Sequence, residues 1–509
     1  MIACYTDRYT ARPGETVMLH ASASHGPCTL RIDRVGRERH TVWTLADIAV
    51  GDHPTPPDAD RAGCRWPVAT GIEIGADWAS GYYDVQLTDA RGEVAHHFVC
   101  VKPAVDAPRA RLAIVLTTNT YLAYNWWGGA NAYSNVTALM TGQASFDDAM
   151  GQAIGVLSTQ RPFVPLIVSA PDDIPRLVNM RKRAFQEQPW AADPEWMRDH
   201  AFSPYDGSAG FLNKWEHRFV EWAETAGYTL DYFTDYDLEV EEVLSGYAGV
   251  LFVGHSEYWG IGERAQVERY VDAGGRIAIL SGNTCFWRVR FEDDGATMIN
   301  HKWRGLEAEP EGSAAPITHL WSLPEIGEPE AALTGLSFLF GGYHRLGLCA
   351  ARGQGGYTIY NDRHWALEGT DLFYGDVIGD ALPLIGYESD GCRFDFGDDG
   401  LPRAIPQLGV PANLEIIGVA PCAFGEEADR GYAPVIPPER LAVCARVTYG
   451  DDSEASQLRM LRGHAVIASF RRGTGEVFNT GTTEWAHGLA AGDPFIDRIT
   501  RNVLDRFSA

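Results

Sequence analysis

Two short apolar runs, Val250 to Val253 and Ile277 to Leu280, constrain this chain more than any other feature. Both are partly β-branched and bounded by polar residues, the pattern of strands buried on both faces. Between them Val267, Tyr270 and Val271 recur at helical spacing, and Gly274-Gly275 closes that segment as helices commonly close. Residues 248–290 therefore read as a βαβ unit. Each run is followed at once by polar chemistry: His255, Glu257 and Tyr258 after the first, Asn283 and Cys285 after the second. In open parallel sheets ligands bind outside the carboxyl ends of the strands, so these residues mark the first place to look for a site.

The same arrangement recurs upstream. Leu112 to Leu116 is an apolar run that ends in an aromatic, glycine-bearing loop containing Tyr124, Asn125, Gly128-Gly129 and Tyr133. Phe211, Trp215, Phe219, Trp222 and Ala226 share one helical face, and a strand over Tyr228 to Phe233 and the acidic turn Asp235 to Asp237 follow. The alternation predicts an α/β domain over 108–509 with a mostly parallel, doubly wound sheet and right-handed crossovers. Two insertions interrupt it, a poorly periodic one over 134–205 and a partly β one over about 291–420. The sheet resumes with a hairpin, His464 to Phe470 and Glu476 to Asn479, around Arg472-Gly473-Thr474-Gly475. A last helix over Pro494 to Phe507 has Asp493 as its N-cap. Residues 1–103, with short alternating runs between turn signals, predict a small all-β sandwich similar in kind to immunoglobulin-like modules. Its expected role is structural or docking, with ligand binding the lesser reading.

A formal net charge of −26 argues against nucleic acid and against an anionic membrane surface as partners. No apolar run approaches the roughly 20 residues needed to span a bilayer. The N-terminal MIACYTDRYT lacks a basic region followed by an apolar core. The nine cysteines are scattered without a CxxC pair, which favours neither a disulfide framework nor a thiolate zinc site. A cytoplasmic location is the expectation. There is no P-loop, no GxGxxG after a strand, no HExxH and no GxSxG, which disfavours nucleotide enzymes, zincins and α/β-hydrolases.

Each candidate residue carries a bland reading beside the chemical one. His255, Glu257 and Tyr258 offer an imidazole, a carboxylate and a phenol within four residues, donors suited to iron, manganese or similar ions. An acid-rich helix start with a structural histidine would look the same, and metal sites need several convergent ligands. Asn283 can donate to a developing oxyanion or cap a turn. Cys285 is a nucleophile or, as the larger expectation, a buried thiol, because bulky Phe286-Trp287 follow directly. Glu388, in a Gly-Tyr-Glu-Ser-Asp segment, is a site acid or a solvated one. His487, in Trp485-Ala486-His487-Gly488, belongs to a site or, as favoured, to the entry loop of the last helix.

Taken as an ordered set, Ala123-Tyr124-Asn125 with Gly128-Gly129, Arg161-Pro162, His255-x-Glu257-Tyr258, Gly282-Asn283 before Trp287, His364-Trp365, Gly386-Tyr387-Glu388 and Trp485-Ala486-His487-Gly488-Leu489 resemble the N,N-dimethylformamidase large (β) subunit family. The resemblance covers roughly 108–507 and implies a class I glutamine amidotransferase-like core. It implies a mononuclear iron held by two tyrosines and a glutamate, and hydrolysis of the C–N bond of a small linear amide. Tyr124 matches the first tyrosine and Glu257 the glutamate, while the second tyrosine's position is Phe163, which cannot ligate. Tyr121, Tyr133, Tyr205 and His255 are the candidates to complete the set. The resemblance further implies polar roles for His255, Asn283, Lys302 and Glu388, with Glu388 as general base and then acid. A small subunit, or a homo-oligomer, is the implied partner. Two other readings stay open: a binding or structural protein that kept the scaffold without the metal, and a cysteine hydrolase or amidotransferase-like enzyme using Cys285.

Overall fold

The computed structural model of the protein describes residues 1–144, 146–169, 208–308, 313–344, 355–380, 382, 384–424 and 436–509. Its central sheet is built from β1 (Leu112–Leu116), β2 (Leu230–Thr234), β3 (Gly249–His255), β4 (Arg276–Gly282), β5 (Ser337–Tyr343), β6 (Glu388–Gly391), β7 (Glu415–Ala423), β8 (Arg462–Arg472) and β9 (Gly475–Asn479). These lie side by side in the order β2-β1-β3-β4-β9-β8-β7-β5-β6, with further short strands attached off this path. The pairs β2–β1, β1–β3, β3–β4 and β4–β9 are parallel. Every pair from β9 to β6 is antiparallel.

The sheet is thus mixed, which corrects the expectation of a mostly parallel, doubly wound α/β fold. The physical reason lies in the connections. The two residues between β8 and β9 form a tight turn, and a turn that short joins only antiparallel neighbours. The insertion after residue 291 also does not stand apart. It supplies β5, β6 and most of β7, and those strands continue the sheet antiparallel.

Local elements follow from their sequences. Leu112–Leu116 and Gly249–His255 are buried along their full length, as strands packed on both faces must be. Helices α1 (Thr118–Tyr124), α2 (Glu216–Thr225), α3 (Ile261–Asp272) and α4 (Pro494–Ser508) flank the parallel strands. In α4, Asp493 accepts the N–H groups of Phe495 and Ile496, and Ile496, Ile499, Val503, Leu504 and Phe507 form its buried stripe. Among the described residues no helix is long and apolar enough to cross a membrane.

The first hundred residues form two sheets. One has three strands, Ile2–Thr6, Thr16–Ala23 and Val68–Glu73; the other has five, in the order Thr10–Ala11, Val94–Val101, Gly81–Thr88, Cys28–Val35 and Arg39–Ile48. Val17, Leu19 and Ile72 from the first meet Ile32, Val85 and Val99 from the second in one apolar cluster. The opposite face of the larger sheet offers Val35, Tyr82, Phe98 and Cys100 to the main core, where Tyr82 stacks on Phe211 with ring centroids 4.1 Å apart. Of the insertion expected over 134–205, residues 170–205 lie outside those described.

Candidate active site

The carboxyl ends of β3 and β4 and the start of β6 meet at one place. Gly254 adopts φ +82° where a Cβ would fall 2.7 Å from Trp215 Cβ, so the backbone passes this point only as glycine and then delivers His255 and Glu257. The Glu257 N–H donates to Thr120 Oγ1 on α1 at 3.1 Å, and its carbonyl accepts the N–H groups of Phe286 and Trp287. The segment after β3 is therefore tied to α1 on one side and to the segment after β4 on the other. Gly282 closes the third side: a Cβ there would fall 2.3 Å from the Glu388 carbonyl oxygen, so β6 runs in direct contact with the end of β4.

Into this junction project a carboxylate and several phenols. The Tyr133 hydroxyl lies 2.7 Å from Glu257 Oε2 and 3.0 Å from Oε1. The Tyr124 hydroxyl lies 3.2 Å from Glu257 Oε2 and 3.0 Å from that of Tyr133. Tyr258 reaches the Tyr133 hydroxyl at 2.6 Å, and Tyr387 reaches that of Tyr124 at 3.3 Å. Trp287 Nε1 donates to Glu257 Oε1 at 2.8 Å and fixes the carboxylate's plane. Against this group stands a second one. His255 Nε2 lies 2.6 Å from Glu388 Oε2 and 3.4 Å from Glu257 Oε2, while its Nδ1 donates to the Ser208 carbonyl at 2.8 Å. Asn283 Nδ2 donates to Glu388 Oε2 at 3.1 Å. Lys302 Nζ sits 3.2 Å from the centroid of the Tyr133 ring. All these side chains are buried apart from Tyr133, which is nearly so.

Burial sets the electrostatics. It pushes the hydroxyls of Tyr124, Tyr133, Tyr258 and Tyr387 well above the usual phenol range, and the neighbouring carboxylates add to the shift. Burial, then the charge of Glu388, also raises Glu257. For His255 burial disfavours the charged ring, but Glu388 and Glu257 outweigh it and lift its pKa to about 9. Desolvation holds Lys302 well below the usual lysine range, with Glu257 and Glu388 only partly offsetting it.

The junction unites eight residues singled out in the sequence, Tyr124, Tyr133, His255, Glu257, Tyr258, Asn283, Lys302 and Glu388. Others lie elsewhere. Phe163 packs among Tyr9, His97 and Phe98, at ring centroid distances of 5.5, 5.3 and 5.7 Å, on the face toward the N-terminal sheets. Tyr121 donates to Glu216, and His487 pairs with Glu484 at 2.6 Å. Tyr205 lies outside the described residues. Cys285 is fully buried in an apolar cluster with Trp259 and Trp321, and burial holds its thiol well above the usual range, the opposite of what a thiolate nucleophile needs. Tyr387 stands in a motif of the sequence without a role of its own there, and Asp390 two positions after Glu388 carries no signal of one.

Two overlapping donor sets can hold a cation here. His255, Glu257 and Glu388 bring one ligand atom each within 4.8 Å of one another. In that set the Nδ1–H of His255 is spent on the Ser208 carbonyl, which leaves Nε2 to face the two acids. Tyr124, Tyr133 and Glu257 form the other set, three hard oxygen donors whose mutual distances run from 2.7 to 3.2 Å. This second set offers three donors of the kind an oxygen-preferring metal ion takes. Comparison with curated proteins gives no match. Residues 29–498 match the family described as N,N-dimethylformamidase beta subunit-like, C-terminal, and the chain belongs to that family.

Proposed function

We propose that the protein hydrolyses the carbon–nitrogen bond of a small amide, with a metal ion held by Tyr124, Tyr133 and Glu257. The observation that carries this reading is the convergence of two phenol oxygens on one buried carboxylate, directly opposite the His255–Glu388 pair. Iron is the ion that the family resemblance implies, and phenols with a carboxylate suit it chemically. When bound, such an ion supplies a Lewis acid for the amide carbonyl and a lowered pKa for bound water.

The chain's own residues account for the rest. Glu388, held by Asn283 Nδ2 and His255, is the general base that removes a proton from the attacking water and then returns it to the leaving amine nitrogen. His255, charged and fixed by the Ser208 carbonyl, donates toward negative charge as it develops on the carbonyl oxygen. Asn283 Oδ1 is buried without a partner among the described residues and is free to accept a substrate N–H. Lys302, over the ring of Tyr133, offsets negative charge on this side of the site when it is protonated. The beta-subunit description of the family supports assembly with a second chain.

Metal analysis of purified protein, paired with hydrolysis of a panel of small formamides and acetamides, tests this. The expected result is a stoichiometric transition metal that is lost in Glu257→Ala and Tyr133→Phe. Glu388→Gln keeps the metal and loses about 10²–10⁴-fold in kcat, the usual reach of one general acid–base group. Cys285→Ala leaves the rate unchanged. Amide hydrolysis that survives Glu257→Ala in metal-free protein would overturn the metal assignment. Loss of activity in Cys285→Ala alone, indifferent to chelators, would move the chemistry to the thiol.

A further inference from the structure

Asn283 and Cys285 both hold left-handed backbone, with φ +52° and +57°. Asparagine visits this region more readily than most residues, but a β-unlike turn at the end of a buried strand needs something to hold it there. Its turn also directs two buried backbone N–H groups, those of Asn283 and Thr284, to one side. A single carboxylate receives both: Asp390 Oδ1 accepts from Asn283 at 2.9 Å and Oδ2 from Thr284 at 3.1 Å. Asp390 is itself buried, and its own N–H is anchored on the Gly481 carbonyl at 3.0 Å.

Asp390 stands two residues after Glu388 on β6, and side chains two apart on a strand project from the same face. One short strand therefore grips the 283–285 turn twice. Glu388 takes the Asn283 side-chain amide, and Asp390 takes the backbone beneath it. The direction of the Asn283 amide, with Nδ2 toward Glu388 and Oδ1 left open, follows from that backbone conformation.

We propose that Asp390 is a positioning residue of this site, acting through the turn at Asn283 to orient Glu388. Asp390 touches none of the proposed metal donors and acts only through its neighbour. Without it two buried N–H groups lose their acceptor, the turn relaxes toward right-handed backbone, and the Asn283 amide leaves Glu388. Substrate contacts other than that of Asn283 Oδ1 remain, so turnover falls more than binding does.

The catalytic half of this inference rests on the amide hydrolase reading, and the test separates the two. In a crystal structure of Asp390→Ala, which needs no substrate, Asn283 is expected to leave the left-handed region and its amide to part from Glu388. An unmoved Asn283 amide, still at 3.1 Å, would overturn the proposal whatever the enzyme's reaction. On small formamides, Asp390→Asn is expected to lower kcat about 10²-fold, with a smaller rise in KM from the displaced Asn283 Oδ1. This nearly isosteric variant keeps one acceptor oxygen and guards against misfolding of the alanine variant. In an Asn283→Ala background the same substitution is expected to cost nothing further, because the residue it acts through is gone. Additive losses in the double variant would show that Asp390 serves the fold and not the site, and would overturn the proposal. A wild-type protein that turns over none of these amides refutes the hydrolase reading and leaves the crystallographic outcome to decide on Asp390.

Discussion

Glu216 shows how much a single enclosed carboxyl can weigh in this molecule. It is the first residue of α2, its Oε1 accepts the Thr117 N–H at 3.1 Å, and Tyr121 donates to its other oxygen. Burial raises its pKa from 4.5 to about 7, against the opposing pull of Tyr121 and Thr117. The folded state thus binds this proton more tightly than the unfolded chain does. The stability that protonation contributes is fully present below about 4.5 and is lost as the pH rises through about 7. A gap of that size corresponds to roughly 3 kcal/mol. Urea unfolding of wild type and Glu216→Gln at pH 5 and at pH 8 checks it. The wild type is expected to lose more stability than the variant between the two; equal losses would mean that Glu216 stays charged throughout. At this scale the sequence revealed the residues that end a strand. His255, Glu257, Asn283 and Tyr124 each follow an apolar run directly or by one short helix, so hydrophobic patterning locates them. Tyr133 was visible only as one of four alternatives, and Tyr387 only as part of a motif. Tyr133 reaches the site because residues 125–135 fold back, with the Ala132 N–H on the Ala123 carbonyl, and no periodicity encodes such a return.

That returning loop is the element on which the proposed metal set depends, and it is braced from two directions. Arg161, fully buried, donates to the carbonyls of Asn125, Trp127 and Ser158. From the N-terminal region, Asp60 Oδ2 accepts the Ala130 N–H at 3.0 Å. Gly129 holds φ +147°, and a Cβ there would fall 2.9 Å from the same Asp60 oxygen, so glycine is what lets the loop approach its brace. Trp127 adds an edge contact with Trp66, centroids 5.7 Å apart. Asp60→Ala leaves a buried N–H without an acceptor and is expected to cost about 1–3 kcal/mol in urea unfolding, with a drop in kcat/KM as Tyr133 loses its setting. A stability within about 0.5 kcal/mol of wild type would show that the loop stands without this contact. The strands themselves were legible to within about two residues at each end, since Leu112–Leu116 and the hairpin strands β8 and β9 carry strong apolar runs. Their arrangement was not. Whether a strand pairs parallel or antiparallel is decided by connections and by long-range register, and apolar runs look alike in both cases.

The N-terminal sheets make one body with the rest of the chain, and the strands that join them say why. Gly81–Thr88 is buried on both faces over nearly its whole length, facing its own sheet partner on one side and the main core on the other. Phe98 lies against Phe163 and Tyr121 across this boundary, with centroid distances of 5.7 and 5.9 Å. Buried charge reinforces it: Lys102 Nζ lies 2.7 Å from Asp237 and 2.6 Å from Glu241, which Arg12 also reaches at 2.8 Å. Domains joined by small polar interfaces usually unfold separately. Here an apolar seam, aromatic stacking and a buried ion pair all cross the boundary, and Asp60 and Phe163 place that seam directly behind the Tyr124–Tyr133 loop. Differential scanning calorimetry is therefore expected to give one cooperative transition for the whole chain. Phe98→Ala, which opens a cavity in the seam, is expected to lower the stability of that single transition by about 3–5 kcal/mol. It should depress amide turnover at temperatures well below unfolding, because the loop behind the seam loosens first. Two separate transitions, with Phe98→Ala moving only the earlier one, would show the N-terminal sheets to be an appendage whose packing the site does not need.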